Sequence, residues 1–99
     1  MARGPEGRFQ DNLHDKLYEL FPGCKIFKIE FHQGCPDLLI LWNDKWAMLE
    51  CKAWCSAHKQ PNQDYWVAFY NRMSFARFIN PENEKEVLDD LQKSFRRSR

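Results

Sequence analysis

Two apolar runs, DLLILW (37–42) and KWAMLECKA (45–53), are separated only by Asn43-Asp44. Such a dipeptide between strand-like runs predicts a tight β-hairpin. With a two-residue loop, Trp42 pairs with Lys45 and every pair of residue numbers sums to 87. Leu41 then meets Trp46, Leu39 meets Met48, and Asp37 meets Glu50. A four-residue loop preserves this register; a three-residue loop does not. Strand side chains alternate faces, so Asp37, Leu39 and Leu41 share one face with Trp46, Met48, Glu50 and Lys52. That face is expected to be mostly apolar core, with three charges at its far end.

The flanking segments predict the other elements. Phe9, Leu13, Leu17 and Leu20 recur at helical spacing, and Pro22-Gly23 ends that helix. In KIFKIEF (25–31), Phe27, Ile29 and Phe31 alternate with Lys28 and Glu30, the pattern of a half-buried strand broken by Gln33-Gly34. Pro61 suits the first turn of a helix running to about Arg72. SFARFI (74–79) reads as a short strand. Asn80-Pro81 reads as cap and first residue of a last helix, with Val87, Leu88, Leu91 and Phe95 on one face. The order is α-β-β-β-α-β-α, an α/β class with a mixed sheet flanked by helices.

A chain of 99 residues suits one small domain, with 1–5 and 96–99 as flexible tails. Aromatic residues make up 15%, so rings are expected to fill a small core. The net charge of +1 excludes a global positive field. Charge is nonetheless uneven: Arg3, Arg8, Arg96, Arg97 and Arg99 sit at the ends, while Glu82 to Asp90 is acidic. The basic ends read as solvated tails rather than a polyanion site. Cysteines stand at 24, 35, 51 and 55 without zinc-knuckle spacing, and no signal peptide precedes them. They are expected to be reduced, mostly buried thiols of an intracellular protein. No apolar run approaches the ~18 residues a membrane span needs.

The three charges of the hairpin need an explanation. Carboxylates directly opposite on paired strands have Cβ atoms ~5 Å apart, and like charges there are destabilising. Lys52 balances one negative charge, not two. A divalent cation balances both, and Mg²⁺ prefers carboxylate, water and phosphate oxygens. The backbone carbonyl of Cys51 adds a ligand, leaving Lys52 to contact a phosphate or orient a water. This is the outline of metal-assisted phosphodiester hydrolysis. The plainer reading is an amphipathic hairpin whose end charges reach water.

Pro36-Asp37, twelve residues, then Glu50-Cys51-Lys52 resembles the signature of the PD-(D/E)XK nuclease superfamily. EGRFQDNLHDKL, LFPGC, QGCPDLLILWNDKWAMLECK, HKQPNQDYWV and MSFARFINPENEKEVLDDL resemble small phage-encoded nucleases of the VRR-NUC and Holliday-junction-resolvase type. The likeness spans residues 6 to about 91 and implies a restriction-endonuclease-like core. It implies Asp37 and Glu50 as metal-binding acids, Lys52 as the catalytic lysine and Gln63 as a supporting glutamine. It implies Glu6 as a first-helix acid completing the metal site, with Asp11, His14 and Asp15 as alternatives; His14 reads better as an exposed helical residue. Cys51 fills the slot between acid and lysine, where only its carbonyl is needed.

Around this centre, Gln33 and Gly34 read equally as a loop or as a close approach to a phosphate or sugar. Ser56, His58 and Lys59, in the crossover after the catalytic strand, are candidates for a phosphate track. Trp66, Phe69, Tyr70 and Met73 read as core or a dimer seam rather than a base-stacking platform. Arg72 and Arg77 read as surface residues.

The expected activity is Mg²⁺- or Mn²⁺-dependent, structure-selective DNA cleavage of the Holliday-junction-resolvase kind. The expected partners are branched DNA and a second copy in a C2 homodimer, since a four-way junction needs paired cuts. If phage-encoded, the chain would work in the host cytoplasm. The rivals are a flap, nicking or single-strand endonuclease of the same superfamily, and a catalytically idle DNA-binding module.

Overall fold

The computed structural model describes residues 4–54 and 57–97. The element order is α1 (Pro5–Leu20), β1 (Lys25–Lys28), β2 (Leu38–Trp42), β3 (Lys45–Cys51), α2 (Gln63–Met73), β4 (Ala76–Ile79) and α3 (Glu84–Arg96). This is the predicted α-β-β-β-α-β-α sequence. The strands form one mixed sheet in the order β1-β2-β3-β4, with β3 and β4 parallel and the other pairs antiparallel.

The hairpin register is the one the turn predicts. Leu38 pairs with Leu49, Leu39 with Met48, Leu41 with Trp46 and Trp42 with Lys45. Asn43 takes φ 57, the left-handed conformation that asparagine tolerates better than most residues.

The two sheet faces are unequal. Leu38 and Ile40 of β2 and Ala47, Leu49 and Cys51 of β3 pack beneath α1 and α3, which bring Phe9, Leu13, Leu17, Leu88, Leu91 and Phe95. The opposite face carries a smaller cluster of Ile29, Cys35, Met48, Val67 and Ala76 under α2. The face bearing Leu39, Trp46 and Met48 is apolar core, as expected. It is the lesser one, because one helix covers it and two cover the other.

β1 also departs from the expectation. The strand ends at Lys28, Phe27 is 48% exposed and Phe31 67% exposed, and only Ile29 of the three is buried. Phe27 pairs with Leu39 at the sheet edge, while α2 packs on β3 and β4.

Helix starts shift for local hydrogen-bonding reasons. Asn80 caps a turn rather than a helix: its Oδ1 accepts the N–H groups of Glu82 and Asn83 at 2.8 and 3.0 Å, and α3 begins three residues later than expected. Asn62 takes φ 71, so α2 begins at Gln63 instead of Pro61. Pro5 and Arg96, expected in flexible tails, belong to α1 and α3. Cys24, Cys35 and Cys51 are buried free thiols; Cys55 lies outside the described residues. Among the described residues no helix is long and apolar enough to cross a membrane.

Candidate metal centre

The hairpin places Asp37 at the entrance to β2 and Glu50 near the end of β3. The Asp37 carbonyl accepts the Ile29 N–H at 2.8 Å, which ties it to the end of β1. Its carboxylate turns towards β3, where Oδ2 accepts the Cys51 N–H at 3.2 Å and Gln10 Nε2 at 3.4 Å. Burial raises the Asp37 pKa, against the lowering effects of the Cys51 N–H, Lys52, Lys28 and Gln10.

Glu50 is only 2% exposed. Its Oε2 accepts Gln63 Nε2 at 2.9 Å and lies 3.4 Å from Lys52 Nζ. Its Oε1 is buried and has no hydrogen-bond partner among the described residues. Burial, then the charge of Asp37, pushes the Glu50 pKa up to about 7; Lys52 opposes the shift and Glu6 adds to it. The two acids therefore feel each other and share one end of the sheet. A buried carboxylate oxygen without a donor is costly, and a hard cation is the partner such an oxygen suits. On this ground the side chains fit a divalent ion.

Gln63 opens α2 and is buried beside Glu50. Its Oε1 accepts Lys52 Nζ and the Gln60 N–H, both at 2.9 Å, while its Nε2 donates to Glu50. The amide therefore links acid, lysine and the loop before α2. Lys52 is buried and has three acceptors in reach: Gln63 Oε1, the His58 carbonyl at 3.1 Å and Glu50 Oε2. Two of its three N–H donors are hydrogen-bonded and its charge is paired with Glu50, so Lys52 does not stand free for a phosphate in this structure. Its head group is engaged internally, because the chain after β3 turns back and brings the His58 carbonyl onto it.

The Cys51 side chain points into the main core, and burial followed by Asp37 and Glu50 pushes its thiol pKa up. Its contribution to the centre comes from its peptide group, whose N–H holds Asp37.

Glu6 stands exposed in the first turn of α1 and shares a cleft of ≈ 380 Å³ with Gln10, Lys28, Ile29, Glu30 and Asp37. Partial loss of water and the nearby Asp37 raise its pKa. Among the described residues, however, no three His, Cys, Asp or Glu side chains converge closely enough to hold an ion by themselves. The expectation that Glu6 completes a three-acid set is not met; α1 brings Gln10, one turn further on, into contact with Asp37 instead. Asp11 and Asp15 are exposed and do not line this cleft. His14, expected to be exposed, is half-buried, and its Nε2 has no partner among the described residues.

A second cleft, of ≈ 240 Å³, shares Ile29, Glu30 and Asp37 with the first and is lined by His32, Gln33, Gly34, Cys35, Gln60 and Gln63 as well. Gln33 is exposed there. Gly34 is buried at φ +81, and an added Cβ would lie 3.0 Å from the Asn62 carbonyl carbon and from Trp66 Cδ1. Gly34 permits a close approach to Asn62, before α2, and to Trp66 within it. His32 fixes the same loop: Nε2 meets the Tyr70 hydroxyl at 2.6 Å, and the ring lies 4.2 Å from Trp66. The Trp66–Tyr70 row therefore holds this loop, with Tyr70 against the smaller cluster, while Met73 is exposed.

Ser56 lies outside the described residues. The His58 side chain is exposed, and its carbonyl serves Lys52. Lys59 pairs with Asp64 at 2.9 Å and lies over the Phe78 ring. Arg72 lies over Phe69, and Arg77 bonds Asn71. Gln10 and Lys28 are site residues that sequence reasoning missed. Gln10 had a signal, its position one helical turn from Glu6; Lys28 read only as the polar side of a strand.

No family model, curated protein or solved structure matches this chain.

Proposed function

We propose that this chain is a Mg²⁺- or Mn²⁺-dependent, structure-selective DNA endonuclease acting on four-way junctions as a C2 homodimer. The observation that carries the reading is Glu50 Oε1, a buried carboxylate oxygen without a donor, in a site that already holds Asp37, Lys52 and Gln63. Asp37 and Glu50 would hold the ion, with the Cys51 carbonyl, water and substrate oxygens completing its shell. When bound, the ion supplies Lewis-acid polarisation of the phosphate and makes water a nucleophile near neutral pH.

The protein's own groups supply the rest. Gln63 fixes the orientation of Glu50 through one oxygen and leaves the other for the ion. Lys52 places a positive charge beside the carboxylates and offsets the negative charge that builds up as water oxygen bonds to phosphorus. The ester P–O bond then breaks, and the leaving oxygen takes up, through solvent, the proton that the attacking water gives up. A four-way junction has two-fold symmetry, so two such sites related by a C2 axis would make paired cuts.

The test is Mn²⁺-dependent cleavage of labelled four-way junctions beside matched duplexes, wild type against Asp37→Asn. Expected are junction cuts by the wild type and at least a hundredfold loss in the variant. Equal cleavage of duplex and junction would replace junction selectivity with a general nuclease. No metal-dependent cleavage of any DNA would leave an idle module.

A further inference from the structure

We propose that Lys28, not Lys52, is the side chain that grips the substrate phosphate at this centre. The inference rests on the nuclease reading and assigns a residue that the signature does not include.

Lys52 is buried, its ammonium donates to Gln63 Oε1 and the His58 carbonyl, and it is paired with Glu50 Oε2 at 3.4 Å. To reach a phosphate it would have to release Glu50, Gln63 or the His58 carbonyl. Each of these holds the centre together. Lys28 is the opposite case. It is exposed at the end of β1, and its ammonium acts on Asp37 and Glu6 through its charge, with no side-chain hydrogen bond among the described residues. Its backbone pairs with Leu38, the residue after Asp37, and the next residue, Ile29, donates its N–H to the Asp37 carbonyl. Lys28 thus lines the cleft that Asp37 shares with Glu6 and Gln10.

The composition of that cleft decides what it admits. Glu6, Glu30 and Asp37 line it against Lys28 alone among charged groups. A bare phosphate is repelled by three carboxylates. A phosphate already paired with a divalent ion is repelled less, because the ion offsets two of the three negative charges and Lys28 supplies a further positive charge for a non-bridging oxygen. A flexible lysine acts as a point charge for phosphate, which suits a position that must release product.

The experiment compares wild type, Lys28→Ala, Lys28→Arg and Lys25→Ala, the last an exposed lysine at the far end of the same strand. The readouts are Mn²⁺-dependent junction cleavage, junction binding by fluorescence anisotropy in Ca²⁺ across a salt series, and thermal unfolding. Lys28→Ala should lose about tenfold in kcat/KM, mainly through KM, and flatten the slope of log affinity against log salt by about one. Lys28→Arg should recover most of both, and all four proteins should melt together. A Lys28→Ala protein indistinguishable from Lys25→Ala in cleavage and salt slope overturns the inference and leaves the nuclease reading standing. A wild type that binds junctions without cutting any DNA sinks the nuclease reading, and the salt slopes then decide Lys28 on their own. A wild type that neither binds nor cuts overturns both.

Discussion

Glu50 is a carboxylate kept where ionisation is costly, and that cost sets how the centre responds to pH. Its folded pKa, pushed up to about 7, lies above the usual 4.5, so the folded chain holds a proton that the unfolded chain has released. Without metal, the Glu50 contribution to stability should therefore be fully present below pH 4.5 and be lost as pH rises to about 7, by an amount on the order of a few kcal/mol. Asp37, also raised by burial, adds to the same trend. Thermal melts in EDTA from pH 5 to 8 read this directly, and a flat profile would contradict the assigned environment. Metal binding must displace the same proton, so Mg²⁺ affinity should rise about tenfold per pH unit below pH 7 and level off above it. Glu50→Gln removes the charge but keeps the shape and most of the hydrogen bonding. At pH 8 in EDTA it should melt no lower than wild type while losing at least a hundredfold of metal-dependent cleavage. A variant that melts much lower would make Glu50 a structural group first.

At the scale of elements, α2 is the part that turns a hairpin into a centre. The charges on β2 and β3 are acids at a sheet end until Gln63 reaches Glu50 and Lys52 from the first turn of the helix. The start of α2 is in turn seated against Gly34. Gly34→Ala would push a methyl into Asn62 and Trp66 at a backbone angle L residues rarely adopt, at a cost of about 1–3 kcal/mol. Because the displacement falls beside Gln63, cleavage at a temperature well below the melt should drop more than folding does. Parallel circular dichroism melts and activity assays separate the two; equal losses would mean that Gly34 matters only for stability. The hairpin was legible beforehand because its turn and its alternation act on neighbours in the chain. The length of β1 was not, since the exposure of Phe27 and Phe31 depends on how far α2 extends across the sheet.

At the scale of the whole molecule, binding an ion to the folded chain alone must raise its stability. Mg²⁺ at a hundred times its dissociation constant adds ~2.7 kcal/mol, and for a chain of this size each kcal/mol moves Tm by about 4–8 °C. Wild type should thus gain on the order of 10 °C or more in saturating Mg²⁺, and Asp37→Asn should gain little. An equal gain in both would place the ion elsewhere. Sedimentation tests the assembly. A chain that cuts junctions symmetrically while sedimenting as a monomer would refute the proposed homodimer.

Local chemistry was enough to determine the element order, the pairing of β2 with β3 and the grouping of Asp37, Glu50 and Lys52, because turn conformation and strand alternation act over a few bonds. Gln63 was not marked by any local pattern; it entered only as an implication of a resemblance. Tertiary structure alone decided which sheet face is the main core, that Lys52 is spent on internal acceptors, and that Gln10 and Lys28 stand beside Asp37. Those outcomes depend on how two helices and a returning loop pack across the end of the sheet. Such packing joins residues far apart in the chain, and no short-range pattern encodes it.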